Sequence, residues 1–109
     1  MANLKLQVTD TNHSELYSST IMMVDDEPVM LEIVQAFLEE AGYKNFTNVE
    51  DSRTAVDRLV ETDPDILLLD LDMPEVNGFQ ILQKVRKHED FKHLPVIILT
   101  ASEKPIDKL

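Results

Sequence analysis

With 109 residues and no cysteine, the chain is long enough for one hydrophobic core and can form neither a disulfide nor a thiolate metal site. Its 43% hydrophobic and 28% charged residues match globular proteins and exclude wholesale disorder. A formal net charge of -11 repels phosphate backbones and anionic lipid, so direct nucleic-acid and membrane binding are excluded, and proteins or cations are the expected partners. No apolar run reaches transmembrane length and Met1 to Leu6 lack a signal peptide's apolar stretch, so a cytoplasmic location is expected.

Residues 1–19 are mostly polar and read as a flexible N-terminal tail ahead of a single domain over residues 20–109. Leu4, Leu6 and Val8 alternate as a strand would, and Asn12-His13-Ser14 matches a glycosylation sequon by chance. From Thr20, Ile21-Met22-Met23-Val24 is a short continuous apolar run that stops at Asp25-Asp26, the pattern of a strand buried on both faces. Met30, Ile33, Val34, Phe37, Leu38 and Ala41 then recur at three- and four-residue spacing. Pro28 in the first turn and Gly42 past the end predict a helix between them. A weak strand over Phe46 to Val49 leads to Asp51 or Ser52 as a cap and to a second helical stripe of Ala55, Val56, Leu59 and Val60, ended by Asp63-Pro64. Ile66-Leu67-Leu68-Leu69 is another doubly buried strand, ending in Asp70. Asn77-Gly78 turns the chain into a helix marked by Phe79, Leu82 and Val85, and Val96-Ile97-Ile98-Leu99 is a fourth strand ending at Thr100. Such alternation implies an α/β fold with a parallel sheet and helices on both faces.

In an open parallel sheet the ligand site lies at the carboxyl ends of the strands, which here carry Asp25-Asp26, Asp70 and Thr100. Carboxylates gathered there resist ionising together unless a cation compensates. With only oxygen ligands on offer, Mg²⁺ fits better than zinc or copper, and it favours phosphoryl chemistry in which an Asp attacks phosphorus. Asp70 is the candidate nucleophile, since it ends the least interrupted apolar strand.

In order along the chain stand Val24-Asp25-Asp26-Glu27, Leu69-Asp70-Leu71-Asp72-Met73-Pro74 with Gly78 following, and Ile98-Leu99-Thr100-Ala101. In these motifs the sequence resembles the receiver domains of two-component response regulators, over roughly Thr20 to the C-terminus. The resemblance implies a flavodoxin-like doubly wound sheet of order 2-1-3-4. It implies that Asp70 accepts a phosphoryl group from a histidine kinase, a phosphotransfer protein or a small phosphodonor, with an effector domain or protein downstream. By the same resemblance Asp26 binds Mg²⁺ directly, Asp25 largely through water, and the Asp72 backbone carbonyl completes the protein ligands. Thr100 senses the phosphoryl group, while Met73-Pro74 and Gly78 shape the adjoining loop.

Receivers of this family continue after the fourth strand with a helix, a fifth strand ending in a phosphate-binding lysine, and a last helix. The sequence ends at Leu109, so a C-terminally incomplete receiver is expected, and neither Lys104 nor Lys108 matches that lysine. An apolar Val96–Leu99 edge without a neighbour invites self-association. Two other classes compete. A phosphohydrolase of the haloacid dehalogenase type would use Asp70-Leu71-Asp72 as its Asp-x-Asp motif, but leaves Asp25-Asp26 unexplained. A truncated interaction module would work without phosphate. An EF-hand is excluded by Pro74 and Glu75, and His13, His88 and His93 show no ligand spacing.

Overall fold

A computed structural model of the chain describes residues 17–99. Its frame is four strands, β1 (Thr20–Val24), β2 (Asn45–Val49), β3 (Ile66–Asp70) and β4 (Val96–Leu99), all parallel and ordered β2-β1-β3-β4, as expected. The expected second strand, Phe46 to Val49, begins one residue earlier, because Asn45 pairs with Thr20. Met22, Met23, Val24, Leu67 and Leu69 are all but inaccessible, so the unbroken apolar runs are central strands covered on both faces.

The two-residue side-chain alternation of the strands divides the core into two unequal clusters. Met22, Val24, Leu67 and Leu69 point to the larger one, built with Val49 and with residues of two helices, α2 (Ala55–Thr62) and α3 (Gly78–Lys87). Ile21, Met23 and Leu68 point to the smaller, which is closed by Leu31 of α1 (Pro28–Ala41). Pro28 starts α1 where its missing N–H costs nothing, and Gly42, at φ 116°, ends it with its N–H donating to the Glu39 carbonyl at 3.0 Å.

Which residues anchor the helices differs in part from expectation. Leu31 is the buried anchor of α1, whereas Ile33 is 56% exposed. Ala55 and Leu59 anchor α2 while Val60 faces solvent, and Ile81 joins Val85 in anchoring α3. An apolar stripe can be wider than the arc of helix that touches the sheet, and spacing alone does not show which edge of the stripe is inside. Asp51, one of the two expected caps, fills that role: its Oδ1 accepts from the Arg53 N–H at 3.0 Å and starts a 3₁₀ turn, Ser52–Thr54, that runs into α2. Asp63 ends α2 with a left-handed φ of 48°. Asn77 heads α3 through a reciprocal capping box with Gln80.

Just before β1, Tyr17 packs edge-on against Tyr43 with ring centroids 5.2 Å apart, and Asn45 donates to the Ser18 carbonyl. Among the described residues β4 forms one edge of the sheet, with Ile97 47% exposed. The alternating Leu4, Leu6 and Val8, the switch candidate Thr100, and Lys104 and Lys108 lie outside the described residues.

Candidate functional site

The strand order reverses between β1 and β3: the chain leaves β1 for β2 on one side and comes back to β3 on the other. Ligands of doubly wound sheets bind in the crevice that such a reversal opens at the carboxyl ends of the strands. Val24 pairs with Leu69 in the register, so Asp70, the last residue of β3, lies level with Asp25, the first residue after β1. Carboxylate oxygens of Asp25, Asp26 and Asp70 all lie within 4.8 Å of one another. Three of the residues singled out from the sequence therefore converge.

Backbone hydrogen bonds fix Asp25 and Asp70. The Asp25 N–H donates to the Val49 carbonyl at 3.0 Å, prolonging the ladder by one residue, and its Oδ1 accepts from the Glu27 N–H at 2.9 Å. Asp70 Oδ1 accepts from the Asp72 N–H at 3.2 Å, which turns the chain away from the sheet. Asp25 and Asp70 are each only 9% exposed. Burial raises the Asp25 carboxyl from 3.8 to about 6; the Asp70, Asp26 and Glu27 charges add to the rise and the Glu27 N–H opposes it. Burial likewise raises Asp70, helped by the charges of Asp26 and Asp72 and opposed by the Asp72 N–H and a hydrogen bond shared with Asp25.

Among the described residues the ion pairs are Arg53 with Asp51 and Lys92 with Glu89, so no basic side chain offsets the cluster. A crowded, partly desolvated set of carboxylates with no nitrogen or sulfur donor suits a hard divalent cation, which makes Mg²⁺ a chemical fit. The side chain of Asp72 is exposed, and its N–H is already committed to Asp70.

The loop from Leu71 to Asn77 closes one wall of the site. The Gly78 N–H donates to the Leu71 carbonyl at 3.2 Å, and a Cβ on Gly78 would press on the Asp70 carbonyl oxygen and lie 2.7 Å from the Leu71 Cα. Only glycine lets α3 start so close to the acidic strand end. Met73 is buried beneath the loop. Two features of this wall had no signal in the sequence beyond a possible cap at Ser52. Glu75 has a left-handed φ of 67°, and the Ser52 hydroxyl donates to the Pro74 carbonyl at 3.2 Å and accepts from the Val76 N–H at 3.3 Å.

Comparison with known proteins agrees with this geometry. The family model of the response regulator receiver domain matches residues 21–109. Response regulator Rre1 of Synechocystis sp. is 42% identical over 82 residues, covering 75% of this chain and 36% of its own length. Chemotaxis protein CheY-3 of Vibrio cholerae is 37% identical over 84 residues, covering 77% of this chain and 65% of its own. The chain thus spans between about one third and two thirds of these relatives. Among solved structures, the signal receiver domain of a histidine kinase from Syntrophus aciditrophicus superposes with a TM-score of 0.74 at 34% identity, covering 84% of this chain and 68% of that one. The N-terminal domain of a response regulator receiver protein from Methanoculleus marisnigri gives 0.73 at 28%, covering 82% and 72%. A parallel sheet of this order, an acidic cluster at its switch point and a family match over most of the chain lead to one conclusion: this chain belongs to the response regulator receiver domain family.

Proposed function

We propose that the chain is the phosphoacceptor of a two-component phosphorelay and takes a phosphoryl group onto Asp70 in a Mg²⁺-dependent reaction. The observation that carries this reading is the convergence of the Asp25, Asp26 and Asp70 carboxylates within 4.8 Å at the sheet's switch point. Asp26 and Asp25 would hold the cation, the first directly and the second largely through water, together with Asp70 and the backbone carbonyl of Asp72. When bound, Mg²⁺ supplies the positive charge that offsets the phosphoryl oxygens.

A carboxylate oxygen of Asp70 attacks phosphorus in line with the leaving group. An O–P bond forms as the N–P bond of a phosphohistidine, or the O–P bond of an acyl phosphate, breaks, and the electron pair departs with the imidazole or carboxylate. The backbone N–H of Asp72 holds the nucleophile by Oδ1. Thr100 reports the phosphoryl group through its hydroxyl. The donor is a histidine kinase or phosphotransfer protein, and the readout is an effector domain or partner protein. The chain is a phosphoacceptor rather than a turnover enzyme. No helix among the described residues is long and apolar enough to cross a membrane, which is compatible with a cytoplasmic site of action.

Incubation with acetyl phosphate and Mg²⁺ tests the reading. The expected result is one hydroxylamine-sensitive phosphoryl group per chain, absent without Mg²⁺ and absent in Asp70→Asn. Sustained multiple turnover would instead identify a phosphohydrolase, and a folded chain that takes no label would be an interaction module that works without phosphate.

A further inference from the structure

Glu75 stands out in the loop beside the site, since a left-handed φ of 67° is a conformation in which the Cβ of a non-glycine residue crowds the backbone. Such strain persists only where neighbouring structure holds it, and it gathers beside working sites. The peptide groups on either side of Glu75 are the ones that the Ser52 hydroxyl engages, the Pro74 carbonyl at 3.2 Å and the Val76 N–H at 3.3 Å. A single oxygen spans the bend as donor and acceptor together.

Ser52 is itself firmly placed. It is 7% exposed, opens the 3₁₀ turn that Asp51 caps, and is three residues from Ala55, which is buried in the larger core cluster. The loop's own ends are tied by the Asp72 N–H on Asp70 and the Gly78 N–H on the Leu71 carbonyl. Between those ties, the described hydrogen bond from a distant segment is that of Ser52, 22 and 24 residues earlier in the chain than its two partners.

We infer that Ser52 is a positioning residue for cation binding: its hydroxyl braces the Leu71–Asn77 loop in the strained conformation that presents the Asp72 backbone to the Asp25, Asp26 and Asp70 cluster. The inference deepens the phosphoacceptor reading and rests on it. Ser52 touches neither the cation nor the phosphoryl group, and its effect runs through the φ of Glu75.

Titration of the 109-residue chain with MgCl₂, followed by calorimetry, tests this. Ser52→Ala is expected to weaken Mg²⁺ binding about tenfold, the scale on which supporting contacts of metal ligands act. Hydrogen exchange at the Val76 amide is expected to quicken in the metal-free protein. Ser52→Ala with Glu75→Gly recovers most of the lost affinity, because glycine adopts the left-handed φ without a brace. Ser52→Ala with Glu75→Gln, which removes the same charge and leaves the strain, recovers none. Should Ser52→Ala fail to fold, Ser52→Cys keeps the size, weakens the hydrogen bonds and carries the same expectations. Mg²⁺ affinity unchanged by the Ser52 substitution, or equal recovery by glycine and glutamine, would overturn the inference while leaving the phosphoacceptor reading standing. No Mg²⁺ binding by the unaltered chain would overturn both.

Discussion

Along β1 and β3 a single residue step separates two opposite environments. Val24 and Leu69 are at most 1% exposed, each filling the larger core cluster. Their successors Asp25 and Asp70 are carboxylates at 9% exposure, crowded with Asp26 and with no basic partner among the described residues. The strand bodies hold the protein together, and the crowded carboxylates at the strand ends work against it. A rigid apolar sheet lets the site keep mutually repelling groups at fixed positions, at a cost in stability.

Substitutions on either side of that step separate the two roles. The largest change belongs to the strand body: Leu69→Ala, at a fully buried position, is expected to lower stability by about 2–5 kcal/mol, measured by urea denaturation. At the strand end the sign reverses. Asp26→Asn relieves the repulsion with Asp25 and Asp70 and is expected to raise metal-free stability by about 1 kcal/mol, as substitutions at strained sites do. On the proposed function, Mg²⁺ is expected to raise the thermal midpoint of the unaltered chain and not that of this variant. If Asp26→Asn were less stable without metal, the contrast between body and end would fail.

The smallest effect is on pH dependence. Asp25 has a folded-state pKa of about 6 against 3.8 in the unfolded chain, so between these values the folded state holds more protons. Its contribution to metal-free stability is fully present below about pH 3.8 and is lost as pH rises through about 6. Thermal midpoints of the unaltered chain relative to Asp25→Asn are therefore expected to fall from pH 4 to pH 7. At saturating Mg²⁺ the trend reverses, because the cation binds the deprotonated carboxylates. A relative midpoint that is flat without metal would remove Asp25 from the repelling set.

The comparison also explains what could be read in advance. A strand covered on both faces must be apolar throughout, so Ile21 to Val24 and Ile66 to Leu69 stood out, and the first carboxylate after each run marked the sheet's carboxyl edge. The convergence of Asp25, Asp26 and Asp70 followed from topology. Helix faces were less legible: Ile33 and Leu31 are both apolar, and only the placement of α1 on the thinner side of the sheet decides that Leu31 is inside. Ser52 could be read only as a possible cap because its loop partners lie more than twenty residues away, and the left-handed Glu75 was hidden because glutamate gives no hint of positive φ.

The parallel pairing of all four described strands has a consequence for folding kinetics. Register partners Ile21 and Ile66 are 45 positions apart, and Leu67 and Val96 are 29 apart, so among the described residues no hairpin or other short-range pairing can nucleate the sheet. Each ladder awaits closure of a long chain segment, which predicts slow assembly for a protein of this size. Asp70 reaches Asp25 and Asp26 only when β3 docks on β1, so the three-carboxylate cluster does not exist before that step. On the proposed function, Mg²⁺ affinity is expected to set in during refolding at that docking event.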